Sequence, residues 1–355
     1  MKKEIGSIFP LSDAALQKAE SRQSPLSGDR LYYSLCREAL ADIAVSVPVA
    51  SKKVLIPAYT CQSVVTPFEE AGWQCAFFAV RKDLRIDTTG LLEAVKQHHP
   101  SVIIAHPYYG MDLNDDEMQA LEMIHEMGVI VVMDLTQCLF SIRSYPFATF
   151  VTASYRKWIA IPDGGYLINK SDIVRIKQPT AENSGFTGRE KDAMYLRGQY
   201  FENGEQRLKD ISIRLSKSAD AFAEQRITPH RMSQVSYNLL KNEDLTENQN
   251  KRLANYAFLF RNIKKSGQVH KICLDMNDVT TAPLYFPIYV EDRQNLQQRL
   301  AQDSIYAPVL WPMENEHMLI NGDTKYIYDH ILVIPCDQRY DEEDLQRAVE
   351  IINHY

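Results

Sequence analysis

The chain has 355 residues, 45% of them hydrophobic and 24% charged, which is enough apolar material to bury a large core. At roughly 100–200 residues per domain this length predicts two domains, and the Gly and Pro content (14 and 16 residues) excludes bulk disorder or a collagen-like repeat. A net charge of −7 argues against a nucleic-acid binder that works through a broad basic surface.

In chain order, the opening MKKEIGSIFPLSD has neither the apolar stretch nor the small-residue cleavage site of a secretory signal. No apolar run approaches the ~18–20 residues that span a bilayer, so the reading is a soluble cytoplasmic protein with no membrane partner. KVLIPAY (53–59) predicts a buried strand, followed by a helix from Gln62 to Ala71. CAFFAV (75–80), SVIIAH (101–106), VIVVMD (129–134), ATFVTAS (148–154) and GGYLIN (164–169) predict five more strands. Helical periodicity at LLEAVKQHH (91–99) and at DDEMQALEMIHEMG (115–128), the latter closed by Gly128, separates several of them. Continuous rather than alternating apolar strands between helices predict a three-layer α/β/α domain around a mostly parallel sheet. TAENSGFTGREKDA (180–193) is polar and glycine-containing and reads as a loop. Helical stretches follow over 205–225 and 233–265. The tail then reads APLYFPIYV (282–290), a helix near 292–302, ILVIPC (331–336) and a helix from Glu342 to His354, a small α+β unit. The division is a large domain over 1–240 and a small C-terminal domain over 241–355. The six cysteines form no CxxC pair and read as reduced thiols without a metal role.

In an open parallel sheet, ligands sit beyond the carboxyl ends of the strands. The residues there are Pro57-Ala58-Tyr59-Thr60-Cys61, His106-Pro107-Tyr108-Tyr109-Gly110, Asp134-Leu135-Thr136-Gln137 and Ser154-Tyr155-Arg156-Lys157-Trp158 before Asp163-Gly164-Gly165. Taken singly these have ordinary roles: an aspartate caps a turn, a lysine is a solvated charge, and a Gly-Gly pair is a turn. An acid ending one strand with a lysine just past the next is the combination pyridoxal phosphate uses. A lysine amine binds its aldehyde, and a carboxylate keeps its ring nitrogen protonated.

VIVVMDLTQCLFS, ATFVTASYRKWIAIPDGGYLI and VLIPAYTCQSVV together resemble the DegT/DnrJ/StrS family of fold-type-I pyridoxal-phosphate aminotransferases. That family has an Asp-x-Ala-Gln segment, matched by Asp134 and Gln137, and a lysine seven residues before a Gly-Gly pair, matched by Lys157 and Gly164. The resemblance covers residues from about 30 to 170 and points to a divergent branch.

The resemblance implies that Lys157 holds the cofactor as an internal aldimine and later moves the proton. It implies that Asp134 pairs with the ring nitrogen and that Gln137 bonds near the phenolic oxygen. Thr136 replaces the small alanine under the ring, and Thr152 matches a serine that contacts the phosphate. The backbone of Ser34, Leu35, Cys36 and Arg37, at the start of a helix, would hold the phosphate. The family stacks a planar group on the ring near the position of Cys61, for which Tyr59 is the candidate here, with Thr60 beside it as a further cofactor contact. Pro107 stands where many members have histidine. The segment through which a neighbouring subunit reaches the phosphate in many relatives is not recognisable, with Asn183 and Arg189 candidates by location. Trp311, Arg339 and Tyr340 are candidates for the substrate entrance.

The implied activity is transfer of an amino group from an amino acid, glutamate above all, to a keto acceptor such as a nucleotide-linked keto sugar, in a homodimer acting on small molecules. A retained Lys157 argues against the family's sugar dehydratases, which carry histidine there. Two other readings stay open: a lyase or decarboxylase on the same cofactor, and a non-catalytic protein that kept the fold.

Overall fold

A computed structural model describes residues 3–20 and 25–355. After α1 (Asp13–Glu20), the chain lays down β1 (Leu31–Tyr33), α2 (Cys36–Ser46), β2 (Lys53–Pro57), α3 (Gln62–Glu70), β3 (Gln74–Phe78), α4 (Thr88–His98), β4 (Val102–Ala105), α5 (Asp115–Glu126), β5 (Ile130–Asp134), β6 (Phe150–Ser154) and β7 (Gly165–Asn169). Among the described residues these strands make a seven-stranded sheet in the order β1-β7-β6-β5-β4-β2-β3. Strands β2 to β6 pair in parallel, whereas β7 runs antiparallel to both β6 and β1. The mostly parallel sheet expected from the apolar strands is therefore the observed one.

Alternate strand residues feed two cores. Val54, Ile56, Val102, Ile104 and Val132 pack with Leu40 and Ile43 of α2 and Val65 and Phe68 of α3. Leu55, Ile103, Val131 and Met133 pack with Leu91 and Val95 of α4 and Leu121 and Ile124 of α5. Strands covered on both faces need apolar side chains in both registers, which is why they read as unbroken apolar runs. The helix ends also follow the sequence. Asn114 and Glu117 form a capping box at the start of α5, and Gly128 at φ +86° receives its exit.

The segment 180–193 departs from expectation. It opens α6 (Ser184–Asn203) rather than forming a loop. The Asn183 side chain accepts the Phe186 N–H and caps the helix, and Phe186, Glu190, Ala193, Met194 and Arg197 share a buried face. Two glycines and many polar residues masked that 3.6-residue period; tertiary packing against α7 (Gln206–Ala223) outweighs their low helix propensity. The stretch 233–265 is two helices, α8 (Gln234–Lys241) and α9 (Leu245–Asn262), because Asp244 caps a new helix by accepting the Glu247 N–H.

A second, antiparallel sheet follows, with β9 (Phe286–Val290) between β8 (Val269–Lys271) and β10 (Ile331–Ile334). It is accompanied by α10 (Arg293–Gln302), α11 (Gly322–His330) and α12 (Glu342–Asn353), and α12 packs on α9 and α10. The short β1 and β8, with α1 and α11, were not predicted. Among the described residues no helix is long and apolar enough to cross a membrane.

Candidate active site

The carboxyl ends of β2, β4, β5 and β6 open into a cleft of about 430 Å³, which the start of α2 and residues of α7 also line. Asp134 closes β5 at 5% exposure, and its carboxylate accepts the Thr136 N–H at 2.8 Å. Burial pushes the Asp134 carboxyl up, while the Thr136 bonds and the charge of Lys157 oppose that shift. The next turn is pinned from outside: Trp158 Nε1 donates to the Thr136 carbonyl at 2.8 Å, and Leu135 N–H to the Thr152 carbonyl at 2.7 Å. Gln137 accepts the Tyr109 N–H through Oε1 at 3.1 Å, but its Nε2 is buried without an acceptor. A buried amide donor left unpaired costs about 1–3 kcal/mol, a cost that an acceptor in the cleft would remove.

Lys157 lies at the end of the short helical turn that follows β6. It is exposed, and among the described residues its amine has no hydrogen bond or ion pair. Its charge acts on Asp134, Cys36 and His106 across the cleft. Opposite it, α2 begins at Cys36 with no side-chain cap at Leu35. The uncapped first turn presents backbone N–H groups and the positive end of the helix dipole, a ready anion site. Gly165 makes this position possible, since a Cβ there would lie 2.7 Å from Cys36 N and 2.9 Å from Cys36 Cα.

Leu35, Cys36, Arg37, Thr60, Asp134, Thr136, Gln137 and Lys157 thus share one cleft. Three of the expected cofactor contacts stand apart from its lining, as do Asn183, Arg189, Arg339 and Tyr340. Thr152 is fully buried within β6, where its hydroxyl donates to the Tyr166 carbonyl at 2.7 Å and lies 3.2 Å from Cys36 Sγ. Ser154, two residues on and therefore on the same strand face, lines the cleft instead. Tyr59 is buried under the wall, stacked on Tyr108 with centroids 5.5 Å apart and bonded to Tyr109 and to the Leu310 carbonyl. Ser34 is buried, with its carbonyl accepting the Gly164 N–H at 2.7 Å and its N–H donating to the His230 carbonyl. Asn183 is tied to Glu38, and Arg189 to Gly185 and the Phe222 ring.

Sequence reasoning left out Ser154 and Arg156, and gave His106 no role. Arg156 lies beside Lys157, stacked on Phe186 and 3.8 Å from Asp220. His106 lines the cleft with Nε2 3.0 Å from Thr60 Oγ1, and its ring lies edge-on to Trp311. Burial, with the charge of Lys157, lowers the His106 pKa to about 3, so the ring is neutral. Position at or just past the end of a strand was the available signal for all three. Burial also pushes the Cys36 thiol up to about 12, which leaves it an unreactive wall. Among the described residues no group of three or more His, Cys, Asp or Glu is placed to hold a metal ion.

No family model matches the sequence, and no curated protein matches it. Solved structures do. PseC of Helicobacter pylori, an aminotransferase involved in the biosynthesis of pseudoaminic acid, is 13% identical at a TM-score of 0.68 over 99% of this chain and 98% of that one. The sugar aminotransferase CalS13 of Micromonospora echinospora is 14% identical at 0.67 over 100% of both chains. NtdA of Bacillus subtilis, solved with bound cofactor PMP, is 16% identical at 0.65 over 98% of this chain and 78% of that one. The chain shares its fold with these aminotransferases.

Proposed function

We propose that the protein is a pyridoxal-phosphate-dependent aminotransferase of the DegT/DnrJ/StrS family, moving an amino group from glutamate to a keto sugar. The observation that carries this reading is the convergence of an unpaired Lys157 amine, the Asp134 carboxylate and the orphaned Gln137 Nε2 in one cleft before an uncapped helix. Each of the three supplies what one part of a pyridoxal phosphate ring demands, and the helix start suits its phosphate. The neighbours in fold add weight, since they include aminotransferases and one solved with PMP.

Pyridoxal phosphate, when bound, supplies an aldehyde and an electron-withdrawing ring that weakens bonds at the α-carbon of an amine. Lys157 Nζ would be the amine that takes up this aldehyde and the base for the α-carbon proton of the donor. Asp134, oriented by the Thr136 N–H, would keep a proton on the ring nitrogen. Gln137 Nε2 would be the donor for the phenolic oxygen. The N–H groups at the start of α2, with Ser154 and Arg37 in the same cleft, would hold the phosphate. His106, kept neutral, adds a wall that neither competes for the phosphate nor repels Lys157. Residues 1–240 form the cofactor domain and 241–355 a smaller domain that closes over the substrate. The active unit is a homodimer in the cytoplasm.

A half-reaction tests this. Protein loaded with pyridoxal phosphate and given glutamate alone should release one equivalent of 2-oxoglutarate per site, and then aminate a keto sugar. Release of carbon dioxide instead would assign a decarboxylase, and failure to take up cofactor at saturation would end the reading.

A further inference from the structure

Trp158, the residue after Lys157, is fully buried, and its polar groups reach parts of the chain far away in sequence. Its indole Nε1–H donates to the Thr136 carbonyl at 2.8 Å, in the turn that separates Asp134 from Gln137. Its own carbonyl accepts twice, from Arg252 of α9 at 3.0 Å and from Gln338, just past β10, at 2.8 Å. The indole ring meets the Phe140 ring edge-on at 5.1 Å and the Arg252 guanidinium at 4.7 Å.

The two donors are held at an electrostatic cost. Arg252 is 1% exposed, and among the described residues its hydrogen bonds go to the carbonyls of Trp158, Pro283 and Leu284 alone. Burying a cation against neutral dipoles is unfavourable, and an apolar side chain would cover the indole without that penalty. Gln338 repeats the pattern, since its Oε1 is buried without a donor while its Nε2 holds the same carbonyl. What the pair fixes is the peptide plane just past Lys157. On the other side of that lysine, the Tyr155 and Arg156 N–H groups both donate to the Gly164 carbonyl, at 2.8 and 3.3 Å. The lysine is thereby held through its backbone from both directions.

We propose that Trp158 is a positioning residue: through its carbonyl and its indole N–H, Arg252 and Gln338 set the turn 135–137 against Lys157. Cofactor uptake then depends on the C-terminal part of the chain being docked. The strap is read from the fold, whereas its effect on pyridoxal phosphate rests on the aminotransferase reading above.

Two variants test this. Trp158→Phe keeps a ring against Phe140 and Arg252 but leaves the Thr136 carbonyl without its donor. Gln338→Leu removes one donor and an unsatisfied oxygen, leaves Arg252 on the Trp158 carbonyl, and should unfold in urea as wild type does. Hydrogen exchange of residues 135–138, followed by mass spectrometry without cofactor, should quicken at least ~5-fold in Trp158→Phe and detectably in Gln338→Leu. Gln338 reaches that turn through Trp158, so a change there is a readout that packing at Gln338 alone would not move. In absorbance titrations, pyridoxal phosphate should bind at least ~10-fold more weakly to Trp158→Phe and at least ~3-fold more weakly to Gln338→Leu, because small misplacements of reacting groups are amplified. The circular dichroism of the visible band of lysine-bound cofactor should change in both. Wild-type exchange at 135–138 in either variant overturns the strap, as do wild-type cofactor affinity and dichroism in both. Quickened exchange in both variants, with no visible band even in the wild type, upholds the strap and sinks the aminotransferase reading.

Discussion

Gly165 is the position at which sheet packing and the proposed phosphate cradle are most tightly joined. Its backbone lies in an ordinary strand, so alanine there raises a question of space alone. The added methyl would meet Cys36 N at 2.7 Å, Cys36 Cα at 2.9 Å and Leu35 C at 3.0 Å. All three are backbone atoms, and none can rotate aside. Restoring contacts of about 3.5 Å requires β7 and the start of α2 to part by roughly 0.5–1 Å. Overpacking of this kind costs about 1–3 kcal/mol, so urea unfolding of Gly165→Ala should show a loss in that range. The moved atoms are those proposed to hold the phosphate. Hydrogen bonds to charged groups contribute about 1.5–3 kcal/mol, and loss of one should weaken pyridoxal phosphate by tenfold or more in an absorbance titration. Gly188→Ala in α6 is the control, since its methyl meets nothing within 4 Å. Alanine in a helix interior there should stabilise by about 0.5–1 kcal/mol and leave cofactor affinity unchanged. Wild-type stability and affinity in Gly165→Ala would refute the proposed phosphate cradle.

Asp134→Asn should keep cofactor uptake close to wild type but lower the glutamate half-reaction by at least ~100-fold, measured in single turnover, because an amide cannot hold the ring-nitrogen proton by charge. Buried Asp163 accepts the Ser233 N–H at 3.0 Å, the Ser233 hydroxyl at 2.6 Å and the Ser236 hydroxyl, anchoring α8 behind the Gly-Gly turn. Asp163→Ala orphans these donors and should cost about 3 kcal/mol in urea unfolding. His106 titrates near 3 in the folded state against 6.5 normally, so between those values the unfolded chain binds the extra proton. Stability contributed by the neutral ring is therefore full above pH 6.5 and is lost as pH falls toward 3. His106→Gln should remove up to about 4 kcal/mol of that acid-side slope, read from unfolding midpoints across this range.

The large domain was readable because its strands are buried on both faces, and unbroken runs such as VIVVMD have few other places to go. Asp134 and Lys157 stood out for the same reason, since the polar residue ending an apolar strand marks the ligand end of the sheet. The helix over 184–203 was hidden because its buried face includes Thr187, Glu190 and Arg197, which packing and side-chain partners make tolerable but no hydropathy pattern announces. Thr152 and Ser154 lie on the same face of β6, and the family spacing points to the first whereas the second lines the cleft.

Reductive trapping tests the central claim most directly. Protein loaded with pyridoxal phosphate is treated with borohydride, digested and analysed by mass spectrometry. The predicted result is one pyridoxyl group per chain, on Lys157, and none on any lysine in Lys157→Ala. A label spread over surface lysines, or unchanged in Lys157→Ala, would contradict the assignment of this cleft.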